Sequence, residues 1–193
     1  MRIVALVVLF LTTFQISAQN ERQPWYVGLG WNAVDYYNSE ETDKQINTTF
    51  SALRISVGRH IWKGLSAEFS YSVNEIEEYP GLMGVNLDHA AIDAYALYSF
   101  RDLLYNGEDK LIDPYLMAGA GITWLENFGV EEKIETNTLN IGGGVNFWIS
   151  PSLAIVGQGV YKNSKDGFTD SYLEYYVGIK YIFGLRSGGI CFP

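Results

Sequence analysis

Tyr172-Leu-Glu-Tyr-Tyr-Val-Gly-Ile-Lys-Tyr-Ile-Phe183, followed by Gly184, is the segment that decides the fold. Leu173, Tyr175, Val177, Ile179, Tyr181 and Phe183 recur at every second position, with Glu174, Tyr176, Gly178, Lys180 and Ile182 between them. Period-two alternation predicts a strand with one apolar face. About 9–11 residues carry a tilted strand across a bilayer. An apolar outer face backed by glycine, glutamate and lysine is the pattern of a transmembrane β-barrel.

Working outward from this segment, seven earlier stretches repeat the alternation: 25–34, 49–59, 65–73, 88–100, 114–124, 139–147 and 153–161. In the third, Leu65, Ala67, Phe69, Tyr71 and Val73 oppose Ser66, Glu68, Ser70 and Ser72. The seventh places Gly157 and Gly159 on its outer face. The connections alternate between longer and shorter. Pro80-Gly81 marks a turn in the 74–87 loop, Asn106-Gly107 marks one in the 101–110 connection, and Glu126, Glu131, Glu132 and Glu135 fall in the loop after strand five. The expected fold is all-β: an eight-stranded, up-and-down antiparallel transmembrane barrel, with the longer loops at one end and both termini at the other. A soluble barrel or sandwich would need branched apolar side chains inside. Here the inward parity is Gly, Ser, Asn, Glu, Arg and Lys, and burying such groups unpaired costs about 1–3 kcal/mol each.

The start of the chain sets the compartment. Met1-Arg2, an apolar run from Ile3 to Phe14, and Ala18 before Gln19 predict a secretory signal peptide over 1–18. That leaves a barrel domain over 19–184 and a tail over 185–193. The leader is too short for a spanning helix, which needs roughly 20 residues. The formal net charge of −9, one unit more negative once Arg2 is removed, argues against nucleic acid. Cys191 is the single cysteine, so no internal disulfide is available.

The chain resembles the eight-stranded transmembrane domain of the outer membrane protein A family over roughly residues 25–184. The likeness rests on Trp25-Tyr-Val-Gly28, Leu65-Ser-Ala-Glu-Phe-Ser-Tyr71, Gly143-Gly-Val-Asn-Phe147 and Gly178-Ile-Lys-Tyr-Ile-Phe-Gly184. It implies a small, plugged barrel in the outer membrane of a Gram-negative bacterium. The implied partners are outer-membrane lipids, lipopolysaccharide and the assembly machinery. Glu68 matches a glutamate that joins a buried ion-pair network in that family. Asn146 stands where the family can carry another acid and Val156 where it can carry a base, so any network here uses other partners. Larger members continue into a peptidoglycan-binding domain, and the sequence to Pro193 gives no support for tethering to the cell wall.

For chemistry, the inward charges Arg54, Glu68 and Lys180 are expected to form an interior cluster, with Glu68 neutralising Arg54, Lys180 or both. Gly28-Leu-Gly30 and Gly142-Gly-Gly144 lack the strand–loop–helix context of a phosphate cradle. Two histidines and one cysteine supply no usual zinc site, and no calcium-loop spacing is present. No cofactor is therefore expected. Ser72, His89 and Asp93 form a candidate nucleophile set if the loop centres near Pro80-Gly81 and sets Ser72 opposite His89. An interior histidine held by hydrogen bonds is the simpler reading. The expected function is a non-enzymatic barrel serving envelope integrity or surface interaction through acidic extracellular loops, with the ligand unassigned. The alternatives are an outer-membrane lipid-modifying hydrolase and a narrow solute or ion channel.

Overall fold

The structure, a computed structural model, describes residues 25–36, 52–62, 64–76, 87–105, 111–127, 133–164 and 171–183. The expected leader, the tail with Cys191 and most of the four long loops lie outside the described residues. Eight antiparallel strands close into a barrel in sequence order: β1 (Trp25–Tyr36), β2 (Leu53–Trp62), β3 (Leu65–Ile76), β4 (Leu87–Ser99), β5 (Ile112–Asn127), β6 (Lys133–Ser150), β7 (Leu153–Ser164) and β8 (Tyr172–Ile182). Closure is made by β1 against β8, from Tyr26↔Ile182 to Tyr36↔Tyr172. No edge is left bare, as spanning a bilayer requires. Among the described residues no helix is long and apolar enough to cross a membrane; the chain crosses with strands.

The alternation places side chains as the sequence predicts, and the result is inside out relative to a soluble protein. Trp31 is 62% exposed and Val177 61%, whereas Arg54 is 1% and Lys162 0% exposed. The outward apolar residues form the lipid-facing belt. Inside, bulk is set against glycine. Tyr26 pairs with Gly58, Asp93 with Gly121, Tyr95 with Gly119 and Tyr115 with Gly144. In each pair a Cβ on the glycine would collide with the long side chain across from it. This matched large–small filling is how a narrow barrel accommodates long residues.

Several boundaries differ from those read in the sequence. Strand β5 continues to Asn127 and β6 begins at Lys133, so Glu126 and Glu135 lie on strands rather than in a loop. Trp124 Nε1 donates to Glu135 Oε2 at 3.1 Å across this extension. Strand β7 runs on to Ser164. In each case the outward residues turn polar before the ladder ends, and apolar alternation stops marking the strand once it leaves the hydrocarbon. The 101–110 connection includes a helical turn, α1 (Arg101–Tyr105), which was read only as a turn-bearing link. The β2–β3 turn uses Gly64 at φ 80°, a conformation that glycine adopts without steric cost.

Candidate functional site

The interior is built in layers. At the long-loop end Val34, Tyr36, Ile76, Leu87, Leu125 and Tyr172 form an apolar cluster inside the barrel. Tyr36 and Tyr172 stack with ring centroids 4.6 Å apart. Toward the other end Tyr95, Leu97, Tyr115, Met117, Val156, Val160 and Tyr176 make a second cluster.

The charges form a chain across the lumen. Glu68 Oε1 and Glu174 Oε1 each lie 3.4 Å from the Arg54 guanidinium. Lys162 Nζ is 2.6 Å from Glu174 Oε2, an ionic contact, and donates to Asp93 Oδ2 at 2.8 Å. The order is thus Glu68, Arg54, Glu174, Lys162, Asp93. Tyr26 Oη donates to Glu68 at 3.1 Å, and Asn140 Nδ2 donates to Asp93 Oδ1 at 2.8 Å. With the Gln158 carbonyl turned to Arg54, it accepts from both guanidinium nitrogens at 2.7 and 3.1 Å while its amide nitrogen donates to Tyr115 Oη. The guanidinium also lies over the rings of Tyr176 and Tyr95, at 5.1 and 5.6 Å. Strands β2, β3, β4, β7 and β8 are cross-linked by this chain, and each charge is shielded from water.

Of the three charges read from the sequence, Arg54 and Glu68 are brought together. Lys180 is not within ion-pair distance of Glu68; its ammonium lies 4.6 Å from the Tyr26 ring, whose hydroxyl reaches Glu68. Lys162 was missed because the predicted strand ended at Tyr161. Carrying the parity of Ala154, Val156, Gln158 and Val160 one step further would have found it. Asn146 donates to Asp113 at 3.1 Å and Val156 sits in the second apolar cluster.

The Ser72, His89 and Asp93 set is not assembled. Ser72 pairs with Ala91 and His89 with Asn74, while Asp93 pairs with Ser70. Among the described residues Ser72 Oγ has no hydrogen-bond partner. His89 Nε2 meets Tyr172 Oη at 3.3 Å, and Asp93 is held by Lys162 and Asn140. Without a serine–imidazole contact the hydroxyl has no base to activate it. Among the described residues no group of acidic, histidine or cysteine side chains is arranged to hold a metal ion.

A closed barrel with a greasy outside and an ion-paired inside is matched over residues 4–184 by the family model of the outer membrane protein beta-barrel domain. The chain belongs to that family. It is accordingly a protein of the bacterial outer membrane. Among solved structures this outer-membrane barrel is similar to Neisserial surface protein A, with TM-score 0.60 and 17% identity over 81% of this chain and 96% of that one. The N-terminal barrel domain of Pseudomonas aeruginosa OprF gives TM-score 0.54 and 12% identity, covering 84% and 98%. The attachment invasion locus protein Ail of Yersinia pestis, in complex with the heparin analogue sucrose octasulfate, gives 0.51 and 14%, covering 83% and 97%. Among curated proteins no sequence matches. At these identities the likeness to the solved structures speaks for the fold.

The filled lumen has a direct consequence for this outer-membrane barrel. In planar bilayers the wild-type protein should show no steady conductance, since an eight-stranded barrel is only wide enough for side chains to fill it. Sustained opening comparable to a porin would contradict the ion-paired interior.

Proposed function

We propose that this barrel is a non-enzymatic scaffold that anchors acidic extracellular loops in the outer membrane for surface interaction with a cationic partner. The observation that carries the reading is a row of carboxylates on the outer wall. Glu75 pairs with Asp88 across β3 and β4, and Asp88 pairs with Glu126 across β4 and β5. Like charges directly opposite one another destabilise a sheet. Lys133 stands opposite Glu126 on β6, and the row still sets three carboxylates against that one lysine, a field that attracts a cationic partner. The segments beyond the same barrel end add Glu40, Glu41, Asp43, Glu77, Glu78, Glu131, Glu132, Asp166 and Asp170. An envelope-integrity role uses the same architecture, with the acidic crown serving as solvated surface.

The separation of Ser72 from His89 supports the non-enzymatic part of the reading, and the filled interior speaks against a channel. Ail was crystallised with a sulfated polyanion; the crown here would repel such a ligand. The test is binding of a lysine oligomer and of sucrose octasulfate to the folded protein in detergent. The lysine oligomer should bind, weaken as salt rises, and weaken further in the triple variant Glu75→Gln, Asp88→Asn, Glu126→Gln. Binding of sucrose octasulfate with none of the lysine oligomer would refute the cationic-partner reading.

A further inference from the structure

The end of the barrel that carries the termini holds a feature that the ion-pair chain does not use. A cavity of about 100 Å³ lies there, lined among others by Tyr26, Arg101, Asp113, Tyr115, Asn146 and Lys180. Lys180 is 7% exposed, and its Nζ lies 4.6 Å from the centroid of the Tyr26 ring and 5.3 Å from that of Tyr115. Aromatic faces attract a cation but offer an ammonium no lone-pair acceptor. Among the described residues no carboxylate is within ion-pair distance of it. The neighbouring acids are engaged elsewhere. Glu68 holds Arg54 and the Tyr26 hydroxyl, and Asp113 accepts from Ser99 and Asn146.

Arg101, 8% exposed, is a second basic residue lining the cavity. Asp113 is the one acid among the lining residues, and both its oxygens already accept hydrogen bonds. The lining therefore offers a buried ammonium with donor capacity to spare, and a second basic residue in the same lining, around a space of small-molecule size. We infer that this cavity binds a small oxyanion, a carboxylate or phosphate group, with Lys180 as its principal cation and Arg101 as the second. The group enters from the terminus end, because the apolar cluster around Tyr36 and Tyr172 closes the lumen from the other side. The orientation proposed above turns this mouth to the periplasm, but binding itself does not depend on that orientation.

The experiment is a titration of the detergent-folded full-length protein with sodium phosphate and, separately, with sodium acetate, followed by NMR at the Trp148 indole and the Lys180 amide. A saturable shift confined to the cavity lining is expected, and the probe that binds tighter identifies the group. Lys180→Gln should weaken binding by about tenfold or more, the scale of one charge-assisted hydrogen bond, while Glu135→Gln on the rim should leave it unchanged. Heat-modifiable gel mobility verifies that each variant is folded. If Lys180→Gln does not fold, Arg101→Gln decides: weaker binding supports the site and unchanged affinity overturns it. Absence of a saturable shift with either probe in the wild type, or unchanged affinity in folded Lys180→Gln, also overturns it.

Discussion

Glu174→Ala should be the most destabilising of the interior charge substitutions, lowering the stability of the detergent-folded barrel by roughly 3–5 kcal/mol or more. Glu174 is the centre of the chain. It is fully buried and is the shared partner of Arg54 and Lys162. Its removal takes one ion pair from each cation, leaving Lys162 with Asp93 alone and Arg54 with Glu68 alone, in a lumen with little room for water to replace the lost carboxylate. Glu68→Ala should cost less, because Arg54 keeps Glu174. Glu135→Ala on the exposed rim should change stability by about 0–1 kcal/mol. A double-mutant cycle checks the coupling: Lys162→Met should cost less in the Glu174→Ala background than in the wild type, because one of the two ion pairs of Lys162 is already gone there. Equal denaturant midpoints for Glu174→Ala and Glu135→Ala would mean that the ion-pair chain does not hold the barrel together.

The difference between Glu68, which the sequence singles out, and Glu174, which it leaves without a partner, shows where reading from residues stops. Facing is local. Leu173 and Tyr175 flank Glu174, so its inward direction follows from two neighbours. Partnership is not local, because it depends on register between strands far apart in sequence. The β3–β4 hairpin makes this concrete. Centring its loop between Pro80 and Gly81 sets Ser72 opposite His89, whereas the observed Asn74↔His89 pair centres it one residue later. That displacement moves each pairing by two, which preserves every face and changes every partner. Hence the inward residues within 65–73 and 88–100 were legible, while Asn74, Ile76 and Leu87, read as loop, were not, and the serine and histidine set opposite each other do not meet. Lys162 failed for a different reason. Tyr161 is the last large apolar outward residue of β7, and beyond it Asn163 faces outward as a polar residue, so the strand continues without its apolar marker.

Gly30→Val should prevent the barrel from closing, whereas Gly157→Val should leave it folded. Both glycines lie within strands, and in an unobstructed strand the change favours the fold, since valine has the higher β-propensity and restricts the unfolded chain. The surroundings reverse that sign at one position only. Gly30 pairs with Gly178 in the seam between β1 and β8, and a Cβ there would overlap the Val177 carbonyl and the Gly178 Cα. These are backbone atoms whose own ladder fixes them, so they cannot move aside as a flexible side chain would. The cost should reach at least about 3 kcal/mol, the upper part of the range for overpacking, and it falls on the only pairing that joins the first strand to the last. Gly157 faces outward on β7 with nothing within 4 Å of its position, so a valine there adds apolar surface to the lipid-facing belt. Heat-modifiable mobility reads the outcome. Gly30→Val should lose the compact folded band and Gly157→Val should keep it, with an unchanged or slightly higher unfolding midpoint. If both variants fold equally well, close approach of the strand backbones is not what requires glycine at the seam.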